Sequence, residues 1–141
     1  MESEINRAVI ATAMDGLARA DGSQFVAAMA NDFRWVLEGS TSWSGVYQGK
    51  QAVRDQLLGP LFAQFATPYR NRAELVLADG HHVVVLCRGE VETQAGERYD
   101  NSYCYVIRMV GGKMAELREY LDTALVDRVL APRVAASSSI R

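Results

Sequence analysis

The chain of 141 residues sets 15 Lys and Arg against 17 Asp and Glu, a formal net charge of −2, with 49% apolar and 23% charged residues. This is the balance of one globular domain and argues against collagen, disordered tails or two domains; at this length roughly 65–70% of the unfolded surface is buried, enough for a core without disulfides or metals and with room for a cavity. The scattered basic residues argue against nucleic acid as a partner, and an acidic Met1-Glu2-Ser3-Glu4 opening with no apolar run near ~18 residues argues against a signal peptide and a membrane span, so the expected location is cytoplasmic.

Ile5, Val9, Ala13 and Leu17 recur every four residues and predict the apolar face of a first helix ending near Ala20. Asp21 and Ser23 offer N-caps to a short second helix carrying Phe25, Val26 and Met29. The span 32–37 has the Phe, Trp and Val content of a strand, and Gly39 to Gly49 reads as a long loop. A third helix starts at Lys50, with Val53, Leu57 and Leu58 on its apolar side, and Gly59-Pro60 interrupts it; Leu61, Phe62 and Phe65 continue the apolar pattern to Pro68.

From Tyr69 onward the period changes to two, and segments 70–78, 82–93, 98–109 and 114–121 are separated by Asp79-Gly80, Ala95-Gly96 and Gly111-Gly112. This predicts an antiparallel meander of four strands, closed by a short helix over 123–130. Helices first and hairpins afterwards predict an α+β fold, a curved sheet with helices on one face. The domain is expected over 1–131, with 132–141 a flexible tail because it holds the low-complexity run 135–139.

The strand from His82 to Glu92 has one face of Val83, Val85, Cys87, Gly89 and Val91, and another of Val84, Leu86, Arg88, Glu90 and Glu92. Apolar residues on both sides near its start predict that one face lies over the helices and the other against a second copy of the chain, a homodimer through the outer sheet face. Arg88 and Glu90 share a side, and Glu119 shares one with Leu117 and Leu121, so the three form a candidate buried ionic cluster. A carboxylate beside a guanidinium stays ionised while a more distant one has a raised pKa, which suits base and acid work. The alternative is a solvated pair of Arg88 and Glu90 worth little.

The next strand alternates likewise, with Tyr99, Asn101, Tyr103, Tyr105, Ile107 and Met109 on one side, a candidate wall for an apolar ligand or else a core edge with hydrated hydroxyls. Trp35, Trp43 and Tyr47 are candidates to cap the mouth of such a pocket. His81-His82 reads as a solvated turn, and Ser40, Ser42 and Ser44 lack the surroundings of a nucleophile elbow. Cys87 and Cys104 lack CxxC spacing and read as two reduced thiols, and no motif calls for a nucleotide, metal or flavin, so no cofactor is expected.

With that order of elements, the chain resembles the nuclear transport factor 2-like superfamily, in its SnoaL-like, ketosteroid-isomerase-related branch. The carriers are Asn31 to Trp35, Gly45-Val46-Tyr47-Gln48-Gly49-Lys50, the run Tyr99 to Tyr105, Gly112-Lys113-Met114 and Arg118 to Thr123. The resemblance, over about residues 3–130, implies a cone in which a curved mixed or antiparallel sheet is wrapped by the N-terminal helices around a deep pocket. It matches Arg88-Gly89-Glu90 and Glu119 to the acid, arginine, acid triad of epoxide hydrolases of this fold, whose water-positioning Tyr and Asn fall at Trp35 and Leu37. The general-base Asp of ketosteroid isomerases falls at Leu37 and Glu38, their tyrosine near Ala13 and their protonated Asp near Tyr103 or Cys104. In a SnoaL-like cyclase, Glu119 or Glu90 would take the proton.

The expected function is thus a cofactor-independent isomerase, cyclase or hydrolase acting on a small apolar oxygenated molecule. Glu119 is the expected base, Glu90 the acid, Arg88 their anchor, and Tyr103 and Asn101 the donors to an oxyanion, with Trp35, Trp43, Tyr47 and Tyr105 against the ligand. The competing expectation is a non-catalytic ligand-binding or structural dimer; an accessory domain for protein partners is a third.

Overall fold

In the computed structural model, which describes residues 1–134, four strands follow one another as a meander: β3 (Arg70–Asp79), β4 (His82–Glu90), β5 (Ser102–Val110) and β6 (Lys113–Leu121). Val83, Val85, Tyr103, Tyr105, Ile107, Met114 and Leu117 all fall on one side of the sheet and are buried there, which is what period-two alternation at antiparallel register produces. β1 (Met29–Leu37) joins the far side of β6 in parallel, and β2 (Gly45–Gln48) pairs antiparallel with β1. The sheet is therefore mixed and six-stranded, in the order β2, β1, β6, β5, β4, β3.

Several expected boundaries move. Met29 opens β1 instead of closing a helix, because its backbone takes up register with Met114. The expected loop over 39–49 contains β2, whose Tyr47 stands opposite Trp35. The strands expected over 82–93 and 98–109 are regular only to Glu90 and from Ser102; between them the chain keeps the isolated bridge of Glu92 with Arg98.

The inner face of the sheet is covered by α1 (Glu2–Ala18) and the short α2 (Ser23–Ala27). The buried stripe of α1 is Asn6, Ile10, Ala13 and Met14, while Ile5 is exposed, so the helix is rotated from the expected face. Asn6 accounts for the rotation: its Nδ2 donates to Gly80 O in the β3–β4 turn at 3.0 Å, docking the helix on the hairpin. At the end of α1 the chain doubles back over Gly16, where a Cβ would stand 2.7 Å from Asp21 O. Only glycine permits that crossing.

The helix expected to be interrupted at Gly59-Pro60 runs on through them as α3 (Lys50–Ala52), a π-helical turn (Val53–Leu58) and α4 (Gly59–Phe62). Gly59 N–H reaches back to Arg54 O, and this wider winding absorbs the amide that Pro60 lacks. α5 (Thr123–Val129) follows β6, with Asp122 Oδ1 accepting Leu125 N–H as its cap. Past α5, Arg133 N–H donates to Ser42 Oγ at 2.8 Å and its guanidinium lies over the Tyr47 ring. The rest of the expected tail, 135–141, lies outside the described residues. Among the described residues no helix is long and apolar enough to cross a membrane.

Candidate active site

Sheet register assembles the site. Val85 stands opposite Tyr105, Tyr105 opposite Glu119, and Glu119 opposite Leu37, so one inner row crosses four strands. Tyr103 and Leu121 face each other in a neighbouring row, Ile107, Leu117 and Trp35 in the other. Above these rows α2 contributes Phe25 and Val26, and the irregular helix over 50–62 contributes Leu57, Leu58, Leu61 and Phe62. Because the curved sheet and the helices do not close on each other, a cavity of about 110 Å³ remains between them. That is the order of the ~150 Å³ apolar cavities that hold a benzene ring. Val26 and Phe62, both exposed, form its rim.

Nearly all of the lining is aliphatic or aromatic, and among the described residues the one carboxylic acid in it is Glu119. Its side chain is buried, and Oε1 accepts a hydrogen bond from Trp35 Nε1 at 2.7 Å. Among the described residues no other protein donor reaches this carboxyl, and no basic side chain lines the cavity. Burial therefore dominates and lifts its pKa from 4.5 to about 7, the indole N–H pulling the other way. A carboxyl at that value is present in both protonation states near neutral pH, so it can accept a proton and return it.

Four tyrosines, Tyr69, Tyr99, Tyr103 and Tyr105, share the cavity wall with Glu119. Burial pushes all four phenol pKa values up, so each is a neutral hydroxyl at any physiological pH. Asn71 Nδ2 donates to the hydroxyls of Tyr69 and Tyr105 at 3.1 and 3.2 Å, while its Oδ1, buried, has no partner among the described residues. Tyr69 fits because Gly89 lies beneath it: a Cβ there would meet Tyr69 Oη at 3.0 Å and Tyr103 Cε2 at 3.2 Å.

The structure does not bring Arg88 and Glu90 to Glu119. Arg88 stands opposite Ser102 on the outer face, with Nε 3.1 Å from Glu74 Oε2 and its side chain 55% exposed. Glu90 pairs with Arg72 at 3.3 Å on the same outer face. The parity that turns Val83, Val85 and Cys87 inward turns Arg88 and Glu90 outward, and the thickness of the sheet separates them from the cavity. Both are solvated, each ion-paired with a residue of β3 and not with the other.

Of the residues expected against a ligand, Trp35, Trp43, Tyr103 and Tyr105 line the cavity; Tyr47 and Asn101 do not. Tyr47 lies behind Trp43 and donates its hydroxyl to Trp43 O at 2.6 Å. Trp43 is buried, its Nε1 donating to Ala131 O at 3.0 Å. Asn101 is fully buried with both side-chain polar atoms engaged by Tyr99, Ser102 and Asp122. Tyr69 and Phe25 are lining residues that sequence reasoning passed over. A signal for Tyr69 existed: Tyr69-Arg70-Asn71 repeats the Tyr99-Asp100-Asn101 triplet.

The SnoaL-like domain family matches residues 10–117. Among solved structures, Bal32a from a soil-derived mobile gene cassette superposes with a TM-score of 0.80 at 20% identity, over 93% of this chain and 100% of that one. An NTF2-like protein of unknown function from Burkholderia pseudomallei K96243 gives 0.76 at 21% identity, over 90% of this chain and 98% of that one. A candidate SnoaL-like polyketide cyclase from Jannaschia sp. CCS1 gives 0.74 at 17% identity, over 92% and 93%. At these identities the likeness is one of fold. No curated protein matches the chain.

Proposed function

The chain belongs to the SnoaL-like domain family, within the nuclear transport factor 2-like superfamily, and from that premise we propose a cofactor-independent enzyme that moves a proton on, or adds water to, a small apolar oxygenated molecule. The observation that carries this reading is Glu119, an acid of pKa about 7 in an otherwise apolar and aromatic cavity. Glu119 is the general base, and the Tyr103 hydroxyl is a donor to the oxygen on which charge develops. A neutral phenol stabilises that charge without the reorganisation that water would need. Trp35 holds the carboxyl in one orientation, which supports the positioning that proton transfer requires.

The rival reading, a non-catalytic binding protein, draws on the same apolar lining, which retains a ligand without any chemistry. A thermal-shift and native mass-spectrometry panel of lactones, epoxides, enones and polycyclic ketones separates the two. The enzyme reading expects a ligand that wild type converts and Glu119→Gln binds without converting. A ligand that wild type binds but leaves unchanged favours the binding protein.

The proposal includes a homodimer through the outer sheet face, supported by Leu75, Leu77, Leu86 and Tyr120, which expose apolar surface there beside the ion pairs of Arg72 and Arg88. Sedimentation as a monomer at tens of micromolar overturns it. A cytoplasmic place of work is supported by the two cysteines, both free, with Cys87 turned into the core and its thiol pKa pushed up to about 12 by burial.

A further inference from the structure

The triplets Tyr69-Arg70-Asn71 and Tyr99-Asp100-Asn101 lead into β3 and β5. In each, the asparagine is fully buried and its Nδ2 donates to the hydroxyl of the tyrosine two residues earlier, at 3.1 Å in both. Alternation places the pair on one side of the chain, which is why the contact recurs.

At Asn101 the direction of this bond is decided by the backbone. Oδ1 accepts from Ser102 N–H at 2.7 Å and Asp122 N–H at 3.0 Å, groups that can only donate. The nitrogen must then face Asp122 O at 3.2 Å, which can only accept, and the Tyr99 hydroxyl. With its oxygen accepting from Asn101, Tyr99 has to send its own proton elsewhere. The other hydroxyl beside it is that of Tyr103, itself part of the cavity wall, so the Tyr99 proton points into the tyrosine wall of the cavity and not to the backbone. Asn71 repeats the contact for Tyr69 and extends it to Tyr105.

We infer that the Tyr99–Asn101 pair is a donor device: Asn101 is a positioning residue that turns the Tyr99 hydroxyl proton into the tyrosine wall of the cavity, so that the cavity selects molecules presenting a carbonyl oxygen. This rests on the reading of the cavity as a ligand site and names the chemistry it takes. A wall of phenol donors without Lys, Arg or His among the described residues lining it suits the acceptor-only oxygen of a ketone, enone, quinone or lactone. A hydrocarbon of the same shape leaves those donors unpaired.

The probes are acetophenone and α-methylstyrene, which differ by C=O against C=CH₂. Their affinities for the full chain are compared by calorimetry near pH 9, where Glu119, with a pKa of about 7, is ionised and can only accept. Tyr99→Phe is expected to lower the acetophenone to α-methylstyrene affinity ratio roughly three- to tenfold, the worth of one hydrogen bond, with α-methylstyrene binding held. Each ligand's own desolvation cancels in that comparison. Asn101→Asp, nearly isosteric but acceptor-only when ionised, captures the Tyr99 proton and is expected to lower the ratio in the same direction. A change in packing alone moves both ligands together. If Asn101→Asp does not fold, the Tyr99→Phe ratio decides. An unmoved ratio with α-methylstyrene still bound overturns the donor device and leaves the ligand site standing; failure of wild type to bind either probe overturns both.

Discussion

Replacing Glu119 by Gln keeps the shape of the side chain and its hydrogen bond from Trp35 Nε1 and removes only the charge. The wild-type carboxyl titrates near 4.5 when unfolded and near 7 when folded. Below the first value it is protonated in both states. Between the two, the unfolded chain releases a proton that the native chain keeps, so wild-type stability falls as pH rises, by about 1.4 kcal/mol per unit. Above 7 the fall is complete and amounts to about 3 kcal/mol, the whole cost of ionising a carboxyl sealed from water. Glu119→Gln escapes it. Urea unfolding of both proteins from about pH 4 to pH 8.5 should therefore show the Gln variant gaining about 3 kcal/mol relative to wild type across that window, or roughly 10 °C in Tm. The other ionisable groups are common to both proteins and cancel in the difference. A difference curve flat with pH would falsify the claim that this carboxyl is buried and ionises at a cost, and with it the basis for assigning Glu119 as the base.

Trp35→Phe deletes the hydrogen bond that opposes the burial effect on Glu119, and carboxyl ¹³C NMR should find the titration midpoint about one unit higher. A midpoint that stays or falls means that water replaces the indole. Gly89→Ala puts a methyl 3.0 Å from Tyr69 Oη and 3.1 Å from its Cε1, and should cost about 1–3 kcal/mol of urea stability by displacing the ring. An unchanged midpoint would mean the tyrosine wall yields freely. Arg88→Ala should leave stability within about 1 kcal/mol and leave ligand affinity unaltered, because its partners Glu74 and Ser102 lie outside the cavity; a loss of binding or turnover would return Arg88 to the site.

The meander was legible because alternation and paired turn residues are local. The same alternation shows that Arg88 and Glu90 share a side, and that Glu119, between Leu117 and Leu121, points inward. It does not say which side of one strand meets which side of the next, since that depends on register across turns and on which face the helices cover. Register placed Arg88 opposite Ser102 and Glu119 opposite Tyr105, and so dissolved the expected cluster. Helix rotation was open for the same reason: Ile5 and Ile10 are equally apolar, and the distant Gly80 carbonyl that Asn6 binds selects between them. Sequence alone therefore determined the helices-then-meander order (though not β2), the fold class and the inward carboxylate, all consequences of period and turn chemistry within a few residues. Only the tertiary structure decided what surrounds that carboxylate. The parallel pairing of β1 with β6 brings Trp35 to Glu119 across 84 residues, and the burial between helices and sheet raises the pKa of that carboxyl to about 7.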